Sequence, residues 1–232
     1  MPEITVVAPG GGEVIGDAAD RRVEILCDHD SLHATWSRFA PGREGADLHV
    51  HHEHTDLFYV LEGEFTLRLG PEGEEVRMPA GTVARMPPMV VHGFRNGSDA
   101  ELRFLNFHAP GAGFASYMRD LRDGRTAAYD QHDPPEDGGR NPGDAVIGEW
   151  PNEDAIKIHE DRSVPGMRPQ SHIDMRNVEL YVLEGEIVVR AGGEELRAQT
   201  GAWVHVPPQL GHAITAVGPE EARYLVVHTP AE

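Results

Sequence analysis

Short apolar-rich runs, several of them alternating with polar residues, recur along the chain and predict β-strands. Residues 65–69 (Phe-Thr-Leu-Arg-Leu), 187–190 (Ile-Val-Val-Arg) and 224–228 (Tyr-Leu-Val-Val-His) are examples. Successive side chains of a strand point to opposite faces, so such runs suit strands with a buried face. The 26 glycines and 18 prolines supply frequent turns between them. The pattern predicts an all-β chain built of barrels or sandwiches.

One segment has helical periodicity instead. From Gly113 to Leu121 the apolar residues Phe114, Tyr117 and Met118 lie at helical spacing, which predicts a short helix. We expect its apolar stripe to pack against the barrel and assign it no cofactor-binding role. The following residues, 123–144, are rich in Asp, Gly and Pro and are predicted to form a linker without regular structure. A lid over a functional site is the alternative for this stretch.

The pattern of the first half of the chain repeats in the second half. The run Leu-Phe-Tyr-Val-Leu-Glu-Gly63-Glu returns as Glu-Leu-Tyr-Val-Leu-Glu-Gly185-Glu. The later series Gly81, Pro87, Pro88, His92 returns as Gly201, Pro207, Pro208, His212. At 232 residues the chain has room for two domains of about 100 residues, each with its own core. A tandem duplication of one β-barrel unit is therefore predicted.

A histidine-rich stretch precedes the first repeated run. His49 and His51 are two residues apart, so on an extended strand both imidazoles leave the same face. Asp56 follows at a distance that allows a turn to return its carboxylate toward that face, and His92 is a later fourth candidate. Imidazoles and a carboxylate that converge in this way are typical of a transition-metal site.

These two stretches resemble the cupin family. Its first motif is H-x-H, four residues, E, six residues, G; here His49, His51, Asp56 and Gly63 keep every spacing, with aspartate in place of glutamate. Its second motif is G, five residues, P-x-G, two residues, H, three residues, N. The residues on that motif are Gly81, Pro87, His92 and Asn96, with Met89 at the position of the turn glycine. The resemblance implies a bicupin, two tandem double-stranded β-helix (jelly-roll) barrels joined by one short helical connector.

This organisation divides the chain into three parts. We expect residues 1–122 to form the N-terminal barrel with the metal site and the connector helix, residues 123–144 the linker, and residues 145–232 a degenerate C-terminal barrel. Counting back from Gly185 places Ser171, Ile173 and Val178 at the ligand positions of the second copy, so that only His212 survives. The alternative is a second site built from His172 and Glu179, which are displaced by one position and would face outward unless a bulge re-aims them.

The expected cofactor is one divalent transition metal in the N-terminal barrel, bound by His49, His51, Asp56 and His92. Iron, nickel, manganese, copper and zinc all suit these donors. Four protein ligands leave positions open on a six-coordinate metal, which is typical of a catalytic site. Strand parity places Phe58 and Val60 on the face of Asp56, and Phe94 on the face of His92, so these three residues are predicted to form an apolar substrate pocket.

The ending of the first repeat, Asn106-Phe-His-Ala-Pro-Gly-Ala-Gly-Phe114, resembles that of small bacterial cupins similar to quercetinase. This resemblance implies a metal-dependent dioxygenase that acts on a small enol or phenol, with the liganding carboxylate, here Asp56, as the base. Aspartate is one methylene shorter than glutamate, so Asp56 can be a ligand without being a base. The alternatives are a cupin isomerase, lyase or decarboxylase, for which Arg85 is the candidate cation, and a non-enzymatic metal-binding or ligand-binding bicupin.

The remaining histidines are interpreted more simply. His52 has the opposite parity to its neighbours and should face outward, and His54 is a substitute ligand only if the backbone kinks. We expect the isolated histidines to be surface or capping residues. They are His33, His108 and His205.

Composition limits the partners. The formal charge of −19 argues against a nucleic-acid or anionic-membrane surface as a partner. No signal-peptide pattern or membrane-length apolar run is present, and Cys27 is the only cysteine, so a cytoplasmic location is expected. The expected partner is a small-molecule substrate, with no nucleic acid and no membrane, and a homodimer is left open.

Overall fold

The computed structural model describes residues 3–168 and 170–231. These residues fall into two compact units. The N-terminal unit is Glu13–Glu149, and the C-terminal unit joins the chain from Trp150 onward with the residues that precede Glu13.

Strands account for most of the regular structure of both units. In chain order they are β1 Thr5–Val7, β2 Glu13–Ala18, β3 Arg21–Asp28, β4 His33–Phe39, β5 Thr55–Glu62, β6 Glu64–Leu69, β7 Glu74–Pro79, β8 Val83–Met86, β9 His92–Arg95, β10 Leu102–Ala109, β11 Val146–Ile147, β12 Lys157–Ser163, β13 Asn177–Glu184, β14 Glu186–Ala191, β15 Glu194–Gln199, β16 Trp203–Val206, β17 His212–Ala216 and β18 Ala222–Thr229. The α-helix α1 is Phe114–Arg122, and a short 3-10 helix spans Pro142–Asp144. The predicted all-β class and the single helical connector are confirmed.

The N-terminal unit consists of two antiparallel sheets with a shared core. The larger has the strand order β11-β8-β5-β10-β4-β3-β2, and the smaller the order β7-β6-β9. Alternate residues of β5, including Phe58 and Val60, pack with Phe65 and Leu67 of β6 and with Phe104 of β10. The core takes side chains from both sheets and so fixes the register of β5, the strand that directly follows the histidine-rich stretch.

The C-terminal unit repeats this arrangement with fewer strands. Its sheets have the orders β1-β16-β13-β18-β12 and β15-β14-β17. Strand β1 pairs with β16 in the register Thr5↔His205, and Ile4 is buried in the core of this unit. The first residues of the chain therefore belong to the C-terminal unit, which corrects the predicted N-terminal domain of residues 1–122. The physical reason is that β1 completes the edge of a sheet formed much later in the sequence.

The stretch 123–144 is irregular along most of its length, yet it packs on the N-terminal unit. The backbone of His132 exchanges two hydrogen bonds with that of Val50 (N···O 2.9 and 3.0 Å). These hydrogen bonds hold this part of the stretch against the segment that carries His49 and His51. Among the described residues no helix has both the length and the apolar character that a membrane crossing requires.

Candidate metal centre

The four predicted ligands come together at one end of the N-terminal barrel. His49 and His51 lie in the extended segment that precedes β5, Asp56 lies on β5, and His92 begins β9. The backbones of His49 and His92 exchange hydrogen bonds of 2.8 and 3.0 Å, which brings the two segments side by side. Asp56 faces inward because it shares the parity of Phe58 and the other core residues of β5. All four residues are buried.

Their donor atoms converge. The Nε2 atoms of His49 and His51 are 3.1 Å apart, and Nε2 of His92 is 3.2 Å from Oδ2 of Asp56. Nε2 of His51 is 3.6 Å from the same carboxylate oxygen. One donor atom from each residue lies within 4.8 Å of the others. This spacing suits a single ion placed between them.

The second nitrogen of each imidazole determines the tautomer. Nδ1 of His49 donates to the carbonyl oxygen of Asp47 (2.6 Å), and Nδ1 of His92 donates to that of Val90 (2.9 Å). Nδ1 of His51 donates to the carbonyl oxygen of Asp130. A carbonyl oxygen can only accept, so each Nδ1 carries the proton and each neutral ring turns an Nε2 lone pair inward. Two lone pairs 3.1 Å apart repel unless a cation lies between them, so the donor set fits a metal.

The surroundings of His49 keep its ring neutral. Burial, reinforced by His92 and His51, lowers the pKa of His49 to about 3. His49 is therefore unprotonated at neutral pH, and a metal does not have to displace a proton from it.

Asp56 is a buried anion held by hydrogen bonds. Its Oδ1 atom accepts from Nδ2 of Asn106 and lies 3.3 Å from Nε2 of His108. Burial alone would raise the pKa of Asp56, but His108, His51 and His92 outweigh it and hold that pKa well below its usual range. The carboxylate thus presents Oδ2 to the ligand cluster while Oδ1 is engaged from behind.

The segment after α1 supplies part of the site. The carboxylate of Asp130 accepts from the backbone N–H groups of His52 (2.9 Å) and Glu53 (2.7 Å), while its carbonyl oxygen accepts from His51. Nδ1 of His54 lies 3.0 Å from Oδ2 of Asp130, and Nε2 of His54 lies 2.7 Å from the Tyr129 hydroxyl. His54 is thus engaged by this segment, outside the predicted ligand set. The sequence did not lead us to predict a role for Tyr129 or Asp130. The one indication was that both lie in the stretch 123–144, for which a lid over the site was the alternative.

Two histidines expected at the surface are buried beside Asp56. The rings of His33 and His108 stack with centroids 5.6 Å apart, and the edge of Phe114 contacts both. Within the described chain, both nitrogens of His33 and Nδ1 of His108 have no hydrogen-bond partner. Burial, followed by the effect of His108, lowers the pKa of His33 well below its usual range. The surface interpretation is wrong for both residues because β4 and β10 bring them inside the barrel.

His205 also departs from the surface interpretation. Its Nδ1 atom is 2.5 Å from Oε1 of Glu179, which is fully buried and also accepts from Nε1 of Trp203 (2.8 Å). Glu179 therefore belongs to a buried cluster on the face opposite that of Val178.

A cavity of about 350 Å³ adjoins the site, because Asn106, which donates to Asp56, is one of its lining residues. Phe94, one of the three predicted pocket residues, lines it, whereas Phe58 and Val60 are fully buried in the core and are not among its lining residues. The apolar stripe of α1 forms much of the wall, and two arginines, Arg21 and Arg122, also line the cavity. The apolar lining residues from α1 are Phe114, Tyr117, Met118 and Leu121. Arg85, the cation considered from sequence, lies on β8 and is not among the lining residues.

The second copy of the motif has a different register from the predicted one. His172 and His212 exchange backbone hydrogen bonds (3.0 and 2.9 Å), as His49 and His92 do. The amide of Gln209 donates to the carbonyl oxygen of Asp174 (2.7 Å), as that of Met89 donates to His51 (2.8 Å). His172 and Asp174 are therefore the counterparts of His49 and His51. The predicted counterparts, Ser171 and Ile173, are wrong because the loop before β13 is one residue shorter than the loop before β5.

Val178 retains the assignment made from sequence. It pairs with Val206 and His228, as Asp56 pairs with Met86 and His108. The carboxylate position of the first barrel is therefore apolar in the second, and Glu179 faces away from it.

Comparison with known proteins agrees with the repeated barrel described above. A family model described as "Cupin domain" (Cupin_2) matches residues 35–108 and again residues 162–228, more than half of the chain. The chain is 27% identical over 123 residues to quercetin 2,3-dioxygenase of Bacillus subtilis (strain 168). That alignment covers 53% of this chain but 35% of the relative, so it spans about a third of that protein.

Solved structures share the fold at low sequence identity. Salicylate 1,2-dioxygenase from Pseudaminobacter salicylatoxidans superposes with a TM-score of 0.69 at 15% identity, over 98% of this chain and 84% of that one. A variant of oxalate decarboxylase from B. subtilis superposes with a TM-score of 0.66 at 12% identity, over 99% and 78% of the two chains. At these identities the similarity establishes the fold alone.

Proposed function

Because the chain belongs to the Cupin_2 family, whose model matches both of its halves, we propose that it is a metal-dependent dioxygenase acting on a small enol or phenol. The observation that carries the proposal is the convergence of three Nε2 lone pairs and one carboxylate in a buried site, with an aromatic cavity beyond Asn106. A divalent ion bound there would supply positive charge for an ionised enol or phenol and coordination positions for substrate. Similarity to quercetin 2,3-dioxygenase supports the reaction type.

The cavity suits a flat aromatic ligand. Phe94 and Phe104 form an aromatic group with centroids 5.8 Å apart, and Tyr117 of α1 lines the same cavity. Aromatic rings of this kind contact a planar ligand by stacking or by their edges. Gln131 provides a polar group on the same lining. These residues would orient a planar substrate within the cavity, whose lining meets the site at Asn106.

Asp56 is assigned to metal binding in this proposal. A carboxylate with a strongly lowered pKa is a poor proton acceptor at neutral pH, and its Oδ1 atom already accepts from Asn106. Its catalytic contribution is therefore to hold charge and position, and we do not assign it the part of general base that the quercetinase resemblance implies.

A second candidate function follows from the two arginines at the cavity. Arg21 and Arg122 would suit a substrate that carries a carboxylate, as an isomerase, lyase or decarboxylase of small oxyanions requires. Arg122 is already paired with Glu13 and Asp123, which weakens its pull on a further anion. We therefore rank this candidate second, and a binding module without turnover third.

Oxygen uptake separates these candidates. Protein purified without a His tag and loaded with iron or nickel should shift the absorption of a flavonol or related enol on titration, and oxygen consumption should follow. The double variant His51→Ala, His92→Ala should lose both responses, whereas His52→Ala, which changes an exposed neighbour, should keep them. Anaerobic conversion of a carboxylate substrate would favour the second candidate, and binding without turnover under every metal would favour the third.

A further inference from the structure

The C-terminal unit contains a second group of donor atoms at the same place in the barrel. Nε2 of His172 is 3.2 Å from Oδ2 of Asp174, and Nε2 of His212 is 3.8 Å from the same oxygen. One donor atom from each of the three residues lies within 4.8 Å of the other two. Their backbone positions are those of His49, His51 and His92, so the barrel brings the three side chains toward one point.

The hydrogen bond made by His212 resembles those of the histidines in the first site. Nδ1 of His212 donates to the carbonyl oxygen of Leu210 (3.0 Å), so its Nε2 lone pair turns toward Asp174. His212 is 1% exposed, and neither its Nε2 atom nor Oδ2 of Asp174 has a hydrogen-bond partner among the described residues. A buried lone pair and a carboxylate oxygen that face each other without a shared hydrogen are an unfavourable pair, which a cation between them would relieve.

We propose that His172, Asp174 and His212 form a second divalent transition-metal site with a ligand set of its own. The acidic ligand has changed place: Val178 occupies the position of Asp56, and Asp174 occupies that of His51. Two imidazoles and one carboxylate form the three-ligand arrangement that non-haem iron(II) and related ions adopt, with open coordination positions on the remaining side.

This site should be more open and weaker than the first. The side chain of His172 is 55% exposed, whereas the four side chains of the first site are buried. Nδ1 of His228 lies 3.8 Å from Oδ1 of Asp174, and its ring stacks on His159 (centroids 5.7 Å apart), so His228 supports the carboxylate from behind. Three ligands, one of them exposed, compete less well with water than four buried ligands do.

The test counts metal ions in protein from which the first site has been removed. The background is the variant His51→Ala, His92→Ala, dialysed to equilibrium against Co²⁺ and measured by elemental analysis and by the visible absorption of protein-bound cobalt. We expect about one ion per chain in this background. Adding His172→Ala should weaken binding by about 10-fold or more, because losing a ligand costs at least as much as losing the group that orients one.

Ser171→Ala is the matched control, since its counterpart in the first barrel is not a ligand. It should leave the affinity unchanged, and circular dichroism should show that every variant is folded. In the otherwise unaltered chain, His172→Ala should lower the stoichiometry from two ions to one. A background variant that binds no cobalt, or whose cobalt is insensitive to His172→Ala, would overturn the proposal and leave His212 and Asp174 as a proton-sharing pair. The outcome is independent of the proposed function, because the first site is absent.

Discussion

Asp56 keeps its charge although it is almost completely buried, because three histidines and one amide surround its two oxygens. Oδ1 faces Asn106 and His108, and Oδ2 faces the ligand cluster. The short side chain of Asp56 therefore has to place one oxygen beside Asn106 and His108 and the other beside the ligand cluster. This requirement makes the length of the side chain at residue 56 critical.

We expect Asp56→Glu to weaken metal binding. An extra methylene in a packed site costs about 1–3 kcal/mol, because neighbouring side chains and the backbone must shift to admit it. Competition with a chromogenic chelator should therefore show an affinity lower by about 5- to 160-fold. Asp47→Glu makes the same chemical change at a fully exposed side chain and should have no effect. An affinity equal to that of the unaltered protein would mean that the site accepts either carboxylate.

The turn position where cupins have glycine offers a second test at the scale of one residue. Met89 and Gln209 both have positive φ (69° and 62°), although neither is glycine. The left-handed region costs a residue with a Cβ about 1–2 kcal/mol, and the greater freedom of glycine in the unfolded chain offsets part of that. The amides of Met89 and Gln209 donate to the carbonyl oxygens of His51 and Asp174, and these hydrogen bonds hold both turns in the strained conformation.

Gln209 is exposed, so we expect Gln209→Gly to raise the free energy of unfolding by roughly 0.5–1 kcal/mol. Gln209→Ala removes the same side chain but keeps the Cβ, and it should give no such gain. The midpoints of urea unfolding measure both changes. Equal midpoints for the two variants would show that the positive φ is not strained at this turn.

At the scale of elements, residues 129–132 hold the histidine-rich stretch, residues 49–54, in place by hydrogen bonds. Asp130 accepts from the amides of His52 and Glu53 through its side chain and from His51 through its carbonyl oxygen. Burial raises the pKa of Asp130, but these amides and His54 outweigh it and lower the value to about 2. Its carboxylate is therefore ionised at neutral pH and accepts hydrogen bonds from both backbone donors.

We expect Asp130→Ala to loosen this loop and with it the first metal site. Loss of these charge-assisted hydrogen bonds should lower the free energy of unfolding by about 1–3 kcal/mol. The backbone carbonyl of residue 130 remains, but a looser segment would hold it less firmly against Nδ1 of His51, which should lower metal affinity by about 10-fold. Hydrogen exchange at the amides of His52 and Glu53 reports the loosening directly. Asp133→Ala, at an exposed position just beyond this segment, is the control. Slow exchange retained at both amides in Asp130→Ala would contradict the anchoring role.

Patterns confined to one element were the easiest to predict. The helix at α1 and the strands around residues 65–69, 187–190 and 224–228 follow from local periodicity and turn residues, and the structure contains them. The spacing of His49, His51 and Asp56 is also local, because a period of two places both imidazoles on one face. The structure brings these side chains together with His92.

Contacts between distant segments escaped prediction. Asn106 and His108 reach Asp56 only because β10 pairs with β5, and Asp130 reaches His51 across an irregular stretch of chain. Nothing in the residues around His108 distinguishes a buried histidine from one at the surface. Which residues of an extended segment face inward is equally hard to predict. The loop before β13 is one residue shorter than the loop before β5, so His172 and Asp174 occupy the positions predicted for Ser171 and Ile173.

At the scale of the whole molecule, each unit has its own core, but the C-terminal core uses residues from both ends of the chain. Ile4 is 5% exposed and lies in one cluster with Val178 and Val204. The first residues that the structure describes are thus part of a folded barrel and do not behave as a free tail. A substitution at Ile4 should therefore lower the stability of strands that lie far away in the sequence.

We expect Ile4→Ala to lower the stability of the C-terminal unit by about 2–5 kcal/mol, the usual cost of a cavity left by a buried isoleucine. Hydrogen exchange in β13 and β18 should accelerate, while exchange in β5 and β10 should be unaffected. Glu3→Ala changes the adjacent, exposed side chain and serves as the control. Equal acceleration in both units would contradict the assignment of β1 to the C-terminal one.

The pairing of β1 with β16 also bears on the order in which the chain is made. Thr5 leaves the ribosome 200 residues ahead of its partner His205, a lead of roughly 10–40 s at about 5–20 residues per second. Throughout that time the N-terminal unit can complete its two sheets, while β1 has no strand to join. The C-terminal barrel cannot close until β16 has been made, and until then the unpaired edge of β1 is available to another nascent chain.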